Sequence, residues 1–179
     1  MNRAHALFDQ SRCVAAGASD TAPALVALDA SMVIQNMSGE RVVSAQDFFV
    51  GPANNIENTT ILRPGDILTA VRIPSTWANA DFYWEKVADR NVWDFSLVNV
   101  AAAFKVSGGQ IQDSRIVVGA VQTTPRRLTD VENAIRGSAR SAETAESVKE
   151  MTTAGARTLA HNGFKVPLMQ NLVKRAISA

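Results

Sequence analysis

LVNVAAAFKVSGGQIQDSRIVVGAVQ, Leu97 to Gln122, is the stretch whose reading decides the fold. LVNVAAAFKV and QIQDSRIVVGAVQ each read as a strand, rich in β-branched and small apolar residues. Ser107-Gly108-Gly109 between them suits a tight hairpin, because glycine takes positive φ without steric cost. Just upstream, FYWEKVA (82–88) reads as a further strand. The last third of the chain is helical instead. Thr129 to Ile135 carries a capping box, Thr129 with Glu132, and Gly137 as a stop. Ser141 to Ala160 places Ala145, Val148, Met151, Gly155 and Leu159 on roughly one helical face. Phe164 to Ile177 does the same with Leu168, Leu172, Val173 and Ala176, with Pro167 in its first turn. Strands followed by helices make an α+β pattern rather than a βαβ alternation. The expectation for this half is a three-stranded antiparallel sheet packed on a helical bundle.

Toward the N-terminus, Asp66 to Ile73 alternates in the manner of a strand and Pro74 ends it. PSTWANA, just after, is the best boundary, which divides the chain into 1–76 and 80–179. APALVALDA (22–30) reads as a short helix with Asp20 as N-cap and Pro23 in the first turn. MVIQNM, the turn SGE and RVVSA read as a strand pair. Asp47-Phe48-Phe49 opens another compact element, and PANNIENTT is a loop by composition. Residues 1–18 show no clear period.

Composition removes several function classes. The 179 residues are 46% apolar and 20% charged, as in ordinary globular proteins. A net charge of +1 gives no basic field for nucleic acid, and 6% aromatics make no stacking platform. No apolar run approaches the roughly 20 residues that span a bilayer. MNRAHALFDQSRCV lacks the apolar core of a secretory signal, so the expectation is a cytoplasmic protein, or a periplasmic one through co-export with a partner. Cys13 is the only cysteine, and His5 and His161 are the only histidines. A disulfide within the chain, a four-cysteine site from this chain alone and a Ser/His/Asp triad are all disfavoured.

The remaining signal is a charged trio, Lys86, Arg90 and Asp94, within YWEKVADRNVWDFSLVNV (Tyr83 to Val100), shortly after PGDILTAVRIP (Pro64 to Pro74). Together these resemble the FAD-binding subunit of the molybdenum hydroxylase family, which includes xanthine dehydrogenases, aldehyde oxidoreductases and carbon monoxide dehydrogenases. SDTAPALVALDA, GERVVSAQDFF, VVGAVQTTPRRL and NGFKVPLMQNLVKRAI resemble further family segments in the same order. The similarity runs from about Asn2 to the C-terminus.

The resemblance implies the back part of a FAD-binding α+β lobe in 1–76 and a CO-dehydrogenase-flavoprotein-like C-terminal domain in 80–179. The family's two glycine-rich loops for the pyrophosphate have no counterpart here, so the chain is expected to hold only part of the flavin site. It implies FAD as cofactor, with the molybdenum cofactor and [2Fe–2S] clusters on partner subunits and, beside them, an upstream polypeptide carrying the rest of the FAD lobe. Electrons would pass from iron–sulfur clusters through FAD to an acceptor. The alternative is a truncated, non-catalytic docking module that does not bind FAD by itself.

Lys86 matches the family lysine at the pyrimidine edge of the flavin. A unit charge about 4 Å away is worth roughly 4 kcal/mol at an effective dielectric near 20. The plain reading is a solvated strand lysine paired with Asp89 or Glu85. Asp20 matches the aspartate of the family S-D motif, which contacts FAD, with Ser19 beside it as a weaker candidate; the plain reading of Asp20 is a helix cap. Leu68 matches a residue packed on the ring and Asp66 one near its polar edge. Strand core and an ordinary Pro-Gly-Asp turn are the plain readings. Arg90 and Asp94 are expected to fix the loop beside Lys86. Cys13 has the spacing to Asp20 of the last cysteine of a [4Fe–4S] cluster found in one branch of the family. A free or partly buried thiol is the plain alternative. Both histidines are expected at the surface or in caps.

Overall fold

The computed structural model describes residues 2–179. In chain order the elements are α1 (Thr21–Ala27), β1 (Ser31–Asn36), β2 (Gly39–Ser44), α2 (Ala45–Phe48), β3 (Ile67–Arg72), β4 (Asp81–Val87), β5 (Val98–Ser107), β6 (Gln110–Gly119), β7 (Arg126–Arg127), α3 (Thr129–Ile135), α4 (Ala142–Ser147) and α5 (Lys165–Ser178). Two antiparallel sheets result, ordered β2-β1-β3 and β4-β5-β6-β7. The fold is α+β, with antiparallel sheets and several helices. A short fourth strand, β7, adds to the three expected in the second sheet.

The hairpin forms where the glycines predict it. Ser107 pairs with Gln110 across Gly108 (φ +58°) and Gly109 (φ +76°), the two left-handed residues a tight turn requires. Period-two alternation then sorts β5 onto two faces. Val98, Val100, Ala102 and Phe104 join Ile116 and Val118 in the core under α3 and α5, with Val131, Ile135, Met169, Leu172 and Val173. Ala101 and Val117 face the other way and pack with Val26 and Ala27 of α1 and Met32 and Ile34 of β1. The central strands β5 and β6 are therefore covered on both faces, by the C-terminal helices on one and by α1 and its surroundings on the other, while Phe82 and Trp84 of edge strand β4 stay exposed.

Two helical expectations change. Ser141 to Ala160 is not one helix. It holds α4, a 3-10 turn at Glu150–Thr153, and irregular backbone through Gly155, which sits at φ +79°. The Thr152 hydroxyl donates to the Lys149 carbonyl at 2.6 Å, a local bond that competes with helix propagation. Met151 is exposed, so the apparent face is not a buried stripe. α3 spans Thr129–Ile135 as expected, but Thr129 and Glu132 form no capping box. Glu132 is drawn inward instead. It is 2% exposed and accepts from the Ile116 amide at 2.8 Å and from Arg127 at 2.7 Å.

PSTWANA contains a 3-10 turn at Ser75–Trp77 with Trp77 buried, the Lys105 ammonium lying 4.7 Å over its ring. The N-terminal stretch packs onto the second sheet, with Leu7 and Phe8 in its core and the Leu7 amide donating to the Val121 carbonyl.

Candidate functional site

Lys86 lies on β4 directly opposite Asn99 of β5, and Asn99 is opposite Gly119 of β6. Residues facing one another across an antiparallel pair point to the same side of the sheet. Lys86 and Asn99 thus share the α1 side with Ala101, while Glu85 shares the helix side. There Glu85 accepts from Tyr83 and pairs with Arg175 of α5 at 2.6 Å. Gly119 makes the approach of α1 possible. A Cβ there would stand 2.1 Å from Asn99 Oδ1 and 2.6 Å from Pro23 Cγ, closer than any side chain tolerates.

On this side Lys86 Nζ donates to Asp20 Oδ2 at 2.6 Å and to the Asp94 carbonyl at 2.6 Å. Asp20 Oδ1 accepts from Ser96 Oγ at 2.5 Å and from Asn99 Nδ2 at 3.2 Å. Burial alone would raise the Asp20 carboxyl pKa. Hydrogen bonds from Lys86, Ser96 and Asn99 and the lysine charge outweigh it and hold the group below its ordinary value. The pair stays open to solvent, with the lysine side chain 23% and the aspartate side chain 37% exposed.

Neither sequence-adjacent carboxylate is the partner of Lys86. Asp89 pairs with Arg3 and Glu85 with Arg175. Arg90 and Asp94 close the loop beside Lys86. The Arg90 amide donates to Asp94 Oδ2 at 2.9 Å and its guanidinium to the Trp93 carbonyl at 2.6 Å. A pocket of about 430 Å³ opens there, lined by Trp84, Lys86, Val87, Ala88, Arg90 and Asn91. A second cleft, of about 330 Å³, lies along Gly17, Ser19, Pro23, Thr60, Gly119 and Thr123.

Asp20 occupies the cap position of α1 but its side chain makes no cap bond. Ser19 does this work, its hydroxyl accepting from the Ala22 amide at 3.0 Å. The Asp20 carboxylate is thereby released to Lys86. Asp66 is enclosed. Its side chain is 1% exposed and accepts from Arg41 at 2.5 and 3.0 Å, from Asn36 at 2.8 Å and from the Arg63 amide at 2.8 Å. The Arg41 guanidinium beside it, with these amides, holds its carboxyl well below the ordinary range. Leu68 sits on β3, whose six residues are all exposed, and is itself 38% exposed. Asp20, Lys86, Ser96 and Asn99 therefore form one cluster, while Asp66 and Leu68 belong to the other sheet. Sequence reading missed Ser96 and Asn99, although a lone polar residue in an apolar strand was the available signal.

Cys13 is half-buried and its Sγ accepts from the Ala15 amide at 3.4 Å. Among the described residues no group of three or more His, Cys, Asp or Glu could hold a metal ion. One thiolate does not fit the four-ligand demand of an iron–sulfur cluster. His161 is exposed, as expected, but His5 is half-buried with Nδ1 unpartnered. Among the described residues no helix is long and apolar enough to cross a membrane.

Two family models match along the chain. Residues 84–179 match the CO dehydrogenase flavoprotein C-terminal domain, and residues 11–76 match the FAD binding domain in molybdopterin dehydrogenase. The chain belongs to the family of FAD-binding medium subunits of molybdenum hydroxylases. It is 32% identical to the nicotine 6-hydroxylase medium subunit of Paenarthrobacter nicotinovorans, over 86% of this chain and 53% of that protein. It is 34% identical to the glyceraldehyde dehydrogenase medium chain of Sulfolobus acidocaldarius, over 67% of this chain and 40% of that one. Among solved structures, quinoline 2-oxidoreductase from Pseudomonas putida 86 superposes with a TM-score of 0.78 at 27% identity, over 90% of this chain and 56% of that chain. The chain spans about half the length of the curated relatives it matches.

Proposed function

We propose that this chain is part of the FAD-carrying medium subunit of a molybdenum-dependent oxidoreductase, with 1–76 contributing to the flavin lobe and 80–179 forming the C-terminal domain. Bound FAD would supply the redox relay between iron–sulfur clusters on one partner subunit and an external acceptor, the molybdenum cofactor residing on another. The observation that carries this reading is the half-open Lys86. Two of its ammonium protons are assigned to Asp20 and Asp94. A third is free for an acceptor in the adjoining pocket, water or ligand.

The residues fit one edge of a flavin. Lys86 offers a fixed cation where reduction places negative charge, which is one of the few ways a protein tunes a flavin's electronics. Leu68, exposed on β3, offers apolar surface for a ring face. Asp20 bears on the cofactor through Lys86, and Ser19 through the turn that presents Asp20. Asp66, with every oxygen engaged, bears on it by holding the base of β3. The relatives, subunits of a nicotine 6-hydroxylase and a glyceraldehyde dehydrogenase, point to a small organic substrate turned over on a partner subunit.

Co-expression of this chain with the polypeptides of its neighbouring reading frames, followed by gel filtration and flavin absorbance, tests the assignment. A yellow complex that contains the chain is expected. Lys86→Ala in that complex should lower both flavin content and flavin midpoint potential. Retention of both at wild-type values would remove Lys86 from the site.

A further inference from the structure

We propose that Ser96 and Asn99 are positioning residues that clamp the Asp20 carboxylate as the counter-ion of Lys86, and so set how much of the lysine's charge reaches the cofactor. The inference deepens the function proposed above and rests on it. Ser96 is 7% and Asn99 1% exposed, so both donors are fixed inside the protein. Asn99 Nδ2 donates to Ser96 Oγ at 3.0 Å as well as to Asp20 Oδ1 at 3.2 Å. With its acceptor side taken by Asn99, the Ser96 hydroxyl turns its proton to Asp20 Oδ1, at 2.5 Å. The carboxylate is gripped by buried donors on Oδ1 and by the ammonium on Oδ2.

This geometry has an electrostatic consequence. A bare carboxylate at 2.6 Å would cancel most of the lysine's field at a third group. Two donors on Oδ1 draw charge away from Oδ2, so Asp20 orients Lys86 while attenuating it less. Removing the Ser96 hydroxyl concentrates charge on the carboxylate, tightens its hold on Lys86 and weakens the field beyond. Reduced flavin then gains less from the lysine, and the midpoint potential falls. A purely structural clamp would alter stability and leave the potential where it was.

Ser96→Ala removes one oxygen and leaves the packing volume nearly intact. The first measurement is a carbon-detected NMR titration of the Asp20 carboxyl in the chain without cofactor. Among the described residues Lys86 is the one charged group acting on it, beside Ser96 and Asn99. The Asp20 pKa should rise toward that of an ordinary carboxylate. The second is the flavin midpoint potential in the loaded complex, for Ser96→Ala with Lys86→Met alongside. A roughly threefold loss in the preference for reduced over oxidised flavin is expected for Ser96→Ala, about 15 mV downward for a two-electron couple. An unmoved Asp20 pKa overturns the clamp outright. A raised pKa with an unmoved potential, while Lys86→Met shifts it, overturns the clamp's role and leaves the function of Lys86 standing. If neither variant moves the potential, the placement of Lys86 at the flavin fails and the clamp's role falls with it.

Discussion

Lys165 and Lys86 both tie the stretch ahead of α1 to the C-terminal sheet, yet they do it in opposite ways. Lys165, at the start of α5, is 0% exposed and has no carboxylate partner among the described residues. Its ammonium donates to the carbonyls of Ala4 at 3.2 Å, His5 at 3.1 Å and Ala120 at 2.6 Å, so all three protons are spent inside the protein. Desolvation pushes its pKa down to about 8. Lys86 has a carboxylate and one carbonyl, and faces a pocket. A sealed junction returns its binding capacity to the fold. An open one keeps capacity for a ligand. The same contrast separates Asp66, closed by Arg41, Asn36 and the Arg63 amide, from Asp20.

If sealed nodes carry stability, breaking one should cost most. Glu132→Ala strands the Arg127 guanidinium and the Ile116 amide next to the core, and should cost roughly 3–5 kcal/mol in urea unfolding. A cost below about 1 kcal/mol would put Glu132 with the open nodes. Lys165 gives the next largest effect, through pH. Its folded pKa, about 8, lies below the ordinary 10.5. Between those values the unfolded chain binds the more protons, so this group's contribution makes unfolding free energy rise with pH across that window. The rise should be on the order of 3 kcal/mol and should vanish in Lys165→Met. A Lys86→Met variant should keep it, since that rise belongs to the sealed lysine.

Much of this architecture was legible because its causes are local. The β5–β6 hairpin follows from alternation and a Gly-Gly turn, and α5 from a repeating apolar face with proline in its first turn. The Ser141–Ala160 helix was misread because Met151 and Gly155 matched the period without being buried, while the Thr152 hydroxyl bonded locally. At the candidate site, family resemblance singled out Lys86, but its ion-pair partner was not legible. Asp20 lies 66 residues away, a separation only the packing of α1 on β5 can close. Strand alternation could have excluded Glu85, which must point to the opposite face from Lys86. It could also have singled out Asn99, a polar residue in register with alanines on the α1 side.

The smallest effect on stability should come from Leu68, and it bears most directly on what openness is for. β3 presents Ile67, Leu68 and Val71 to solvent, so little apolar area leaves water there on folding. Leu68→Ala should therefore change unfolding free energy by about 0.5 kcal/mol or less in the chain without cofactor. If Leu68 packs on the flavin as proposed, the same substitution in the loaded complex would remove that contact, and each lost methylene or methyl is worth about 0.8 kcal/mol when fully buried. Two or three such groups in partial contact predict a flavin dissociation constant raised roughly tenfold, measured by fluorescence of released flavin. A large stability loss with unchanged flavin affinity would make Leu68 a packing residue. The reverse outcome would extend the open character of the Lys86 node to the first sheet, with the two surfaces acting on one ligand.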